Sequence, residues 1–321
     1  MPFPIDIVGH RKEMQALEED LANGNVVHAY LFSGPKHVGK FTVAQWFARQ
    51  LLTMDVTEEK EKERILDQID RLLHPDYFQL DQLWMEDTME DMAVIACSTN
   101  ISQQHRKESK AKTNEISIED IRALQDRLHD IGTGKYRCCL IRSAERMREP
   151  AANAFLKILE EPPQGTIFML TSEFPSALLP TLLSRTRQLR FNRLSHDELK
   201  PLLKNMQEED IRFLLNLAQG APGIVQRLRS DPDQLRAERG VYSNASAFWN
   251  ATTSLERFQL LKPIAERGEA SDAFLLHLAL SLREQPGDLQ QRSQAFHKLV
   301  RGLKTNAQRK LLAQEFALAV M

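Results

Sequence analysis

Cysteine is scarce in this chain of 321 residues, with only Cys97, Cys138 and Cys139. Two of them are adjacent on a predicted strand, where neighbouring side chains point to opposite faces. That is neither a metal-binding spacing nor a disulfide framework, so a reduced, cytoplasmic location is expected. No uninterrupted apolar run is long enough to span a bilayer. The opening MPFPIDIVGH lacks the basic and apolar regions of a signal peptide, so no membrane association is expected. A basic excess is missing too: the formal charge of -2 argues against a strong nucleic-acid binder acting alone. What remains is ordinary for a globular protein, 42% hydrophobic and 27% charged, and long enough for two or three domains.

Against that background, the stretch from Tyr136 to Thr186 is dense in signals. Tyr136 to Ile141 is an apolar run too short for a helix, bounded by a Gly-Thr-Gly-Lys turn, and reads as a buried parallel strand. Ala151, Ala154, Phe155, Ile158 and Leu159 then mark one apolar stripe of a helix. Pro150 suits its first turn, and Pro162-Pro163 cannot continue it. Thr166 to Thr171 is a second buried strand, which completes a βαβ unit. Ser184-Arg185-Thr186 follows a Leu-Leu-Pro-Thr-Leu-Leu segment. Alone, this is an ordinary α/β core with an incidental arginine.

An earlier motif changes its weight. Ala29 to Ser33 reads as a strand, Gly34-Pro35-Lys36-His37-Val38-Gly39-Lys40 follows at once, and a helix carries Val43, Phe47 and Leu51. Strand, G-x-x-x-x-G-K and helix is the context of a phosphate-binding loop. Its backbone N–H groups and helix N-terminus favour an anion, and Lys40 is placed to reach terminal phosphates. Gly34, Gly39, Lys40 and Thr42 are therefore the candidate cofactor residues. The next position, however, should offer a hydroxyl to magnesium, and it is Phe41. Thr42 is a poor substitute, because each helical residue turns the side chain by about 100°.

Around these motifs, residues 8–28 read as a helix and 55–73 as a charged, solvated one. A second strand is expected from Tyr77 to Leu83. Residues 86–115 show no period and read as a surface insertion; its basic HRKESKAK run suits a solvated loop better than a DNA contact. Ser117 with Asp120, and Ser195 with Glu198, have capping-box spacing. Pro232 and the polar residues after it suggest a boundary, and residues 241–321 are helical in pattern.

These segments together resemble the bacterial DNA polymerase III clamp loader, a family of AAA+ proteins. HAYLFSGPKHVGK, the HPD before the second strand, ISIEDIRAL, NAFLKILEEPP and LLPTLLSRT carry the likeness over nearly the whole chain. The resemblance implies an α/β fold: an AAA+ P-loop core with a parallel sheet over 1–192, a helical lid over 193–235 and a helical collar over 241–321. Among the family's subunits the match is to delta-prime, the non-hydrolysing stator, rather than to the ATPase gamma/tau. It implies a hetero-pentamer with gamma/tau and delta, reaching the sliding clamp and primed DNA through the complex. Arg185, flanked by Ser184 and Thr186, is then an arginine finger acting in trans on a neighbour's ATP.

The departures from the family's pattern bear on the same point. Where its Walker B strand ends in Asp-Glu, this chain has Arg142 and Ser143. A cation there repels magnesium by about 4 kcal/mol per pair of unit charges at roughly 4 Å and an effective dielectric near 20. ATPase relatives place an arginine three residues after the glycine matching Gly220; here it is Gly223. Thr171 matches the first sensor's neighbourhood, although a threonine at a strand end also has a plain structural reading. The four-cysteine zinc module is missing, since residues 50–76 contain no cysteine. No intrinsic ATPase, no metal and at most weakly bound ATP or ADP are expected. The competing readings are a gamma/tau-type ATPase, against which Phe41, Arg142 and Ser143 speak, and a nucleotide-binding adaptor outside replication.

Overall fold

The computed structural model describes residues 7–81, 97–109, 114–204, 206–283 and 289–320. The chain divides into two compact units, Met1–Pro201 with Gly220–Gly223, and Leu202–Gln219 with Ile224–Met321.

The first unit is built on a five-stranded sheet. In chain order its elements are α1 (Arg11–Asn23), β1 (Ala29–Ser33), α2 (Lys40–Thr53), α3 (Glu59–Asp70), β2 (Tyr77–Leu80), α4 (Gln104–Ser109), α5 (Ile118–His129) and β3 (Arg137–Ile141). They continue with α6 (Glu149–Glu160), β4 (Thr166–Ser172), α7 (Pro180–Leu183), β5 (Arg187–Arg190) and α8 (His196–Leu199). All strand pairs are parallel, in the order β2-β3-β4-β1-β5. Parallel strands need helices on both faces, and alternation along each strand supplies both. Leu31, Cys139, Ile141, Phe168 and Leu170 pack on one face with Ile121, Leu124 and Phe155. Tyr30, Phe32, Cys138, Leu140 and Met169 pack on the other with Val43, Phe47 and Leu51. The adjacent cysteines thus enter opposite cores, as their spacing predicts. The expected fold class, an α/β P-loop domain with a parallel sheet followed by helices, is the one found.

Local signals set the boundaries. The Ser117–Asp120 capping box is formed, with the Ser117 N–H donating to Asp120 Oδ2 at 2.7 Å and the Asp120 N–H to Ser117 Oγ at 3.4 Å. Ser195 and Glu198 form another. Pro150 lies in the first turn of α6, and Glu161 ends the helix before Pro162-Pro163.

Three expectations for the first unit need correction. The charged helix α3 is not solvated all round, because Ile69 is buried and Ile65 and Leu66 pack beside it. The second strand ends at Leu80; the rest of its expected length, beyond Asp81, lies outside the described residues. The described part of the supposed insertion is not a surface loop. Ile101, Thr99, Gln103 and Arg106 are buried. Asn100 and Thr99 serve the outer edge of β2: Asn100 Oδ1 accepts from the Gln79 N–H at 2.8 Å and Thr99 Oγ1 from the Asp81 N–H at 3.0 Å. An edge strand whose polar groups are met in this way is closed to further pairing. Arg106, from the run read as solvated, donates from Nε to Asp120 Oδ1 at 2.9 Å and from Nη2 to Oδ2.

The second unit contains α9 (Glu208–Ala218), most of α10 (Pro222–Ser230), α11 (Pro232–Asn250), α12 (Ser254–Leu260), α13 (Glu269–Leu282), α14 (Leu289–Leu303) and α15 (Arg309–Ala319). Pro232 opens the 19 residues of α11 instead of breaking the chain, so the polar stretch read as a boundary is helix. Phe248, Trp249, Phe274, Leu278, Leu282, Leu299 and Phe316 form the core. Phe274, Leu278 and Leu282 of α13 are thus covered within the unit itself. The buried indole of Trp249 donates to Leu278 O at 3.1 Å.

Candidate functional site

The loop after β1 keeps its fold for stated reasons. Gly34 has φ +145°, and a Cβ there would lie 2.2 Å from Phe191 O, so the chain can leave β1 beside β5 only without a side chain. Gly39, at φ +100°, caps α2. His10 Nε2 pins the loop through Val38 O at 2.7 Å. Lys40 is 7% exposed, and its ammonium donates to Gly34 O at 2.7 Å and Pro35 O at 2.6 Å. Burial pushes its pKa down, partly offset by Glu173 and Glu145.

The neighbourhood of Lys40 decides what this loop can hold. The Arg142 guanidinium lies over the Phe41 ring, 5.3 Å from its centroid, and Nη1 donates to both oxygens of Asp81, at 3.1 and 2.9 Å. Arg146 Nη2 braces the pair through Asp81 O at 2.6 Å and Arg142 O at 2.7 Å. Ser143 sits in the left-handed region at φ 55°, and its N–H donates to Thr171 Oγ1 at 2.9 Å. Thr171 therefore has a structural task at the end of β4. Glu145 Oε1 accepts the Glu173 N–H at 3.1 Å.

Magnesium requires several oxygen ligands in near-octahedral array. Phe41 offers none, and Asp81, the carboxylate at the end of β2, is bound to Arg142. Among the described residues no group of three or more His, Cys, Asp or Glu could hold a metal ion. The residues present do not fit a magnesium nucleotide. The cleft lined by Lys40, Phe41, Thr42, Arg142, Thr171 and Gly223 has a volume of about 230 Å³. Small-molecule pockets usually hold about 300–1,000 Å³. On the far side, the Gly223 N–H donates to His37 O at 2.9 Å, and a Cβ at this position would meet that oxygen at 3.0 Å. Gly223 is thus pressed against the loop as bare backbone.

Arg185 lies elsewhere. Its Nη1 donates to Thr181 O at 3.0 Å and its Nη2 to Glu160 Oε1 at 2.9 Å. Ser184 Oγ donates to Thr181 O, also at 3.0 Å, and Thr186 Oγ1 to Leu183 O at 3.1 Å, which closes the turn between α7 and β5. The side chain of Arg185 is 36% exposed. Arg187 pairs with Tyr30 near the start of β1, whereas Arg190 pairs with Ser33, the last residue before the loop. With all strands parallel, Arg185 is at the entry edge of the sheet and the loop at its exit edge, at least about 10 Å of strand apart. The fold brings Gly34, Gly39, Lys40 and Thr42 together with Phe41, Arg142, Ser143 and Thr171. It keeps Ser184, Arg185 and Thr186 away from them.

Sequence reasoning missed Asp81, Glu160 and Arg106. Each matters through a partner distant in sequence, and no local spacing announces such a pair.

The family described as DNA polymerase III, delta subunit, matches residues 9–195. The chain belongs to that family. The clamp-loader resemblance thus holds at the family level. Similar proteins include DNA polymerase III subunit tau/gamma of Haemophilus influenzae, 27% identical over 252 residues, 74% of this chain and 32% of that protein. DNA polymerase III subunit tau of Escherichia coli is 28% identical over 246 residues, 71% of this chain and 32% of that protein. The chain spans about a third of the length of these curated relatives. Among solved structures, a DNA polymerase III gamma subunit-related protein from Thermotoga maritima aligns with 96% of this chain and 98% of its own, at 15% identity and a TM-score of 0.44. No helix among the described residues is long and apolar enough to cross a membrane.

Proposed function

We propose that this chain is the delta-prime-type subunit of a DNA polymerase III clamp loader, a stator that does not hydrolyse ATP and lends Arg185 to a neighbouring subunit's ATP site. The observation that carries this reading is the Phe41–Arg142–Asp81 cluster, which puts an aromatic ring and a guanidinium where phosphoryl transfer needs a metal and its ligands. Magnesium neutralises charge developing on the transferred phosphoryl group, and Phe41 and Arg142 offer it no ligand there.

The trans role of Arg185 is supported by chemistry and placement. A guanidinium stays charged and presents a planar fork that spans phosphate oxygens. It is about a third exposed, and it stands at the sheet edge opposite its own loop, so any nucleotide it serves belongs to another protomer. The helical residues 241–321 form the collar that holds the ring, residues 193–235 the lid, and gamma/tau and delta are the partners. ATP or ADP binds weakly, if at all, and without magnesium.

The second reading is an ATP-hydrolysing gamma/tau-type loader, the subunit type for which the relatives are named. The two separate in one experiment. The purified chain, assayed alone and then with gamma/tau, delta, clamp and primed DNA, is expected to be inert alone and to support clamp-stimulated ATPase in the complex. Turnover by the chain alone would favour the second reading.

A further inference from the structure

Glu160 is the last residue of α6, and its Oε1 accepts from Arg185 Nη2 at 2.9 Å. Its placement runs against helix electrostatics. The C-terminus of a helix carries partial negative charge, and a carboxylate in the last turn is disfavoured there. At this position an uncharged side chain would serve the helix better. The platform beneath it is firm: Phe155, Ile158 and Leu159 of α6 are buried in the sheet core, and Pro162-Pro163 stops the helix immediately afterwards.

Arg185 needs such a partner. A surface arginine samples many rotamers, and few of them present the guanidinium in any one direction. Here two anchors of different origin hold it, Thr181 O on Nη1 and Glu160 on Nη2. Arginine has five N–H donors, so two anchors leave others for an incoming anion. The side chains of Arg185 and Glu160 are 36% and 52% exposed, so water screens the pair and its hold is weak. A weak anchor orients the guanidinium without competing strongly with a phosphate for it.

We infer that Glu160 is a positioning residue that presents Arg185 to the neighbouring subunit's nucleotide. This rests on the reading of Arg185 as a finger in trans, and it assigns a task to the final glutamate of α6 that helix stability does not explain.

The test uses the reconstituted complex with gamma/tau, delta, clamp and primed DNA, reading stimulated ATPase, clamp-loading rate and complex mass. Glu160→Ala is expected to lower the Arg185-dependent rate by about two- to fivefold, the rate equivalent of a surface ion pair. Assembly should be unchanged, and the thermal stability of the chain unchanged or slightly higher. Glu160→Gln, which keeps an acceptor oxygen, should fall between Ala and wild type. The double variant Glu160→Ala/Arg185→Ala should match Arg185→Ala alone, because the glutamate acts only through the arginine. If Arg185→Ala collapses the rate while Glu160→Ala equals or exceeds wild type, the positioning role is overturned and the finger stands. A Glu160 effect that persists in the Arg185→Ala background also overturns it. If Arg185→Ala is itself silent, the finger reading fails.

Discussion

At the exit edge of the sheet, Arg142 is paired with a buried carboxylate, Asp81; at the entry edge, Arg185 is paired with an exposed one, Glu160. Lys40 donates into its own loop, and Arg142 is held by Asp81 and laid over Phe41. Arg185 is held by two partners on the surface. In the proposed reading, the first arrangement puts a cation in a metal's place and the second holds one for a neighbouring subunit. On the function proposed above, a lost metal site and a finger lent to a neighbour would lie on opposite edges of one domain, so the two tasks can be separated by mutation.

The strongest way to break this contrast is to remove Arg185. An arginine finger contributes about 10³ to 10⁵ in rate, roughly 4–7 kcal/mol of barrier. Arg185→Ala should cost the adjoining site that factor while the ring stays assembled, so bulk ATPase falls only in part and coupled clamp loading fails. Arg185→Lys should rescue poorly, since it loses the planar fork. Complex mass and loading rate measured on one preparation check both.

The next largest effect lies in the fold. Arg106 and Asp120 form a pair whose side chains are 1% and 0% exposed. Removing one partner of such a pair costs about 3–5 kcal/mol. Arg106→Ala should lower the denaturant midpoint by a corresponding amount, whereas Arg185→Ala should barely move it. Burial alone would raise the Asp120 carboxyl, but the hydrogen bonds and charge of Arg106, with the Ser117 N–H, hold it below its usual 3.8. A depressed carboxyl contributes stability that is present above its unfolded pKa and lost as pH falls through the folded one. The gap between wild type and Asp120→Asn should therefore be widest above about pH 4 and close in acid.

A third variant reverses the exit edge. Phe41→Thr with Arg142→Asp and Ser143→Glu restores a hydroxyl and carboxylates beside a loop whose backbone is already built. Magnesium-dependent ATP binding should appear, raising stability by about 2.7 kcal/mol at a hundred times the dissociation constant. Calorimetry that finds tight, magnesium-dependent binding already in wild type would erase the contrast. The smallest effect is expected from Lys40→Ala, which should leave clamp loading by the complex unchanged.

Much of this was legible in the sequence. Short apolar runs gave β1, β3 and β4 because parallel strands are buried on both faces, and Ser117–Asp120 announced α5 through a local rule. What was not legible depended on distance or on ambiguous chemistry. Arg142 meets Asp81 across 61 positions, so its fate as a tethered cation cannot be read from the strand that carries it. Arg106 lies in a polar, aperiodic run, where a charge that will be buried looks like one that will not. Pro232 served as a helix's first residue although proline also ends helices, and the residue alone does not say which. The Arg185 motif was visible, but its anchor on Glu160 needed the packing of α6 beside α7.

The most direct test of the central claim is magnesium-dependent ATP turnover by the purified chain alone, compared with its Lys40→Ala variant. The account predicts background rates for both, because Phe41 lacks the hydroxyl, and Arg142 and Ser143 lack the carboxylates, that would hold the metal. Turnover in wild type that disappears in Lys40→Ala would contradict it.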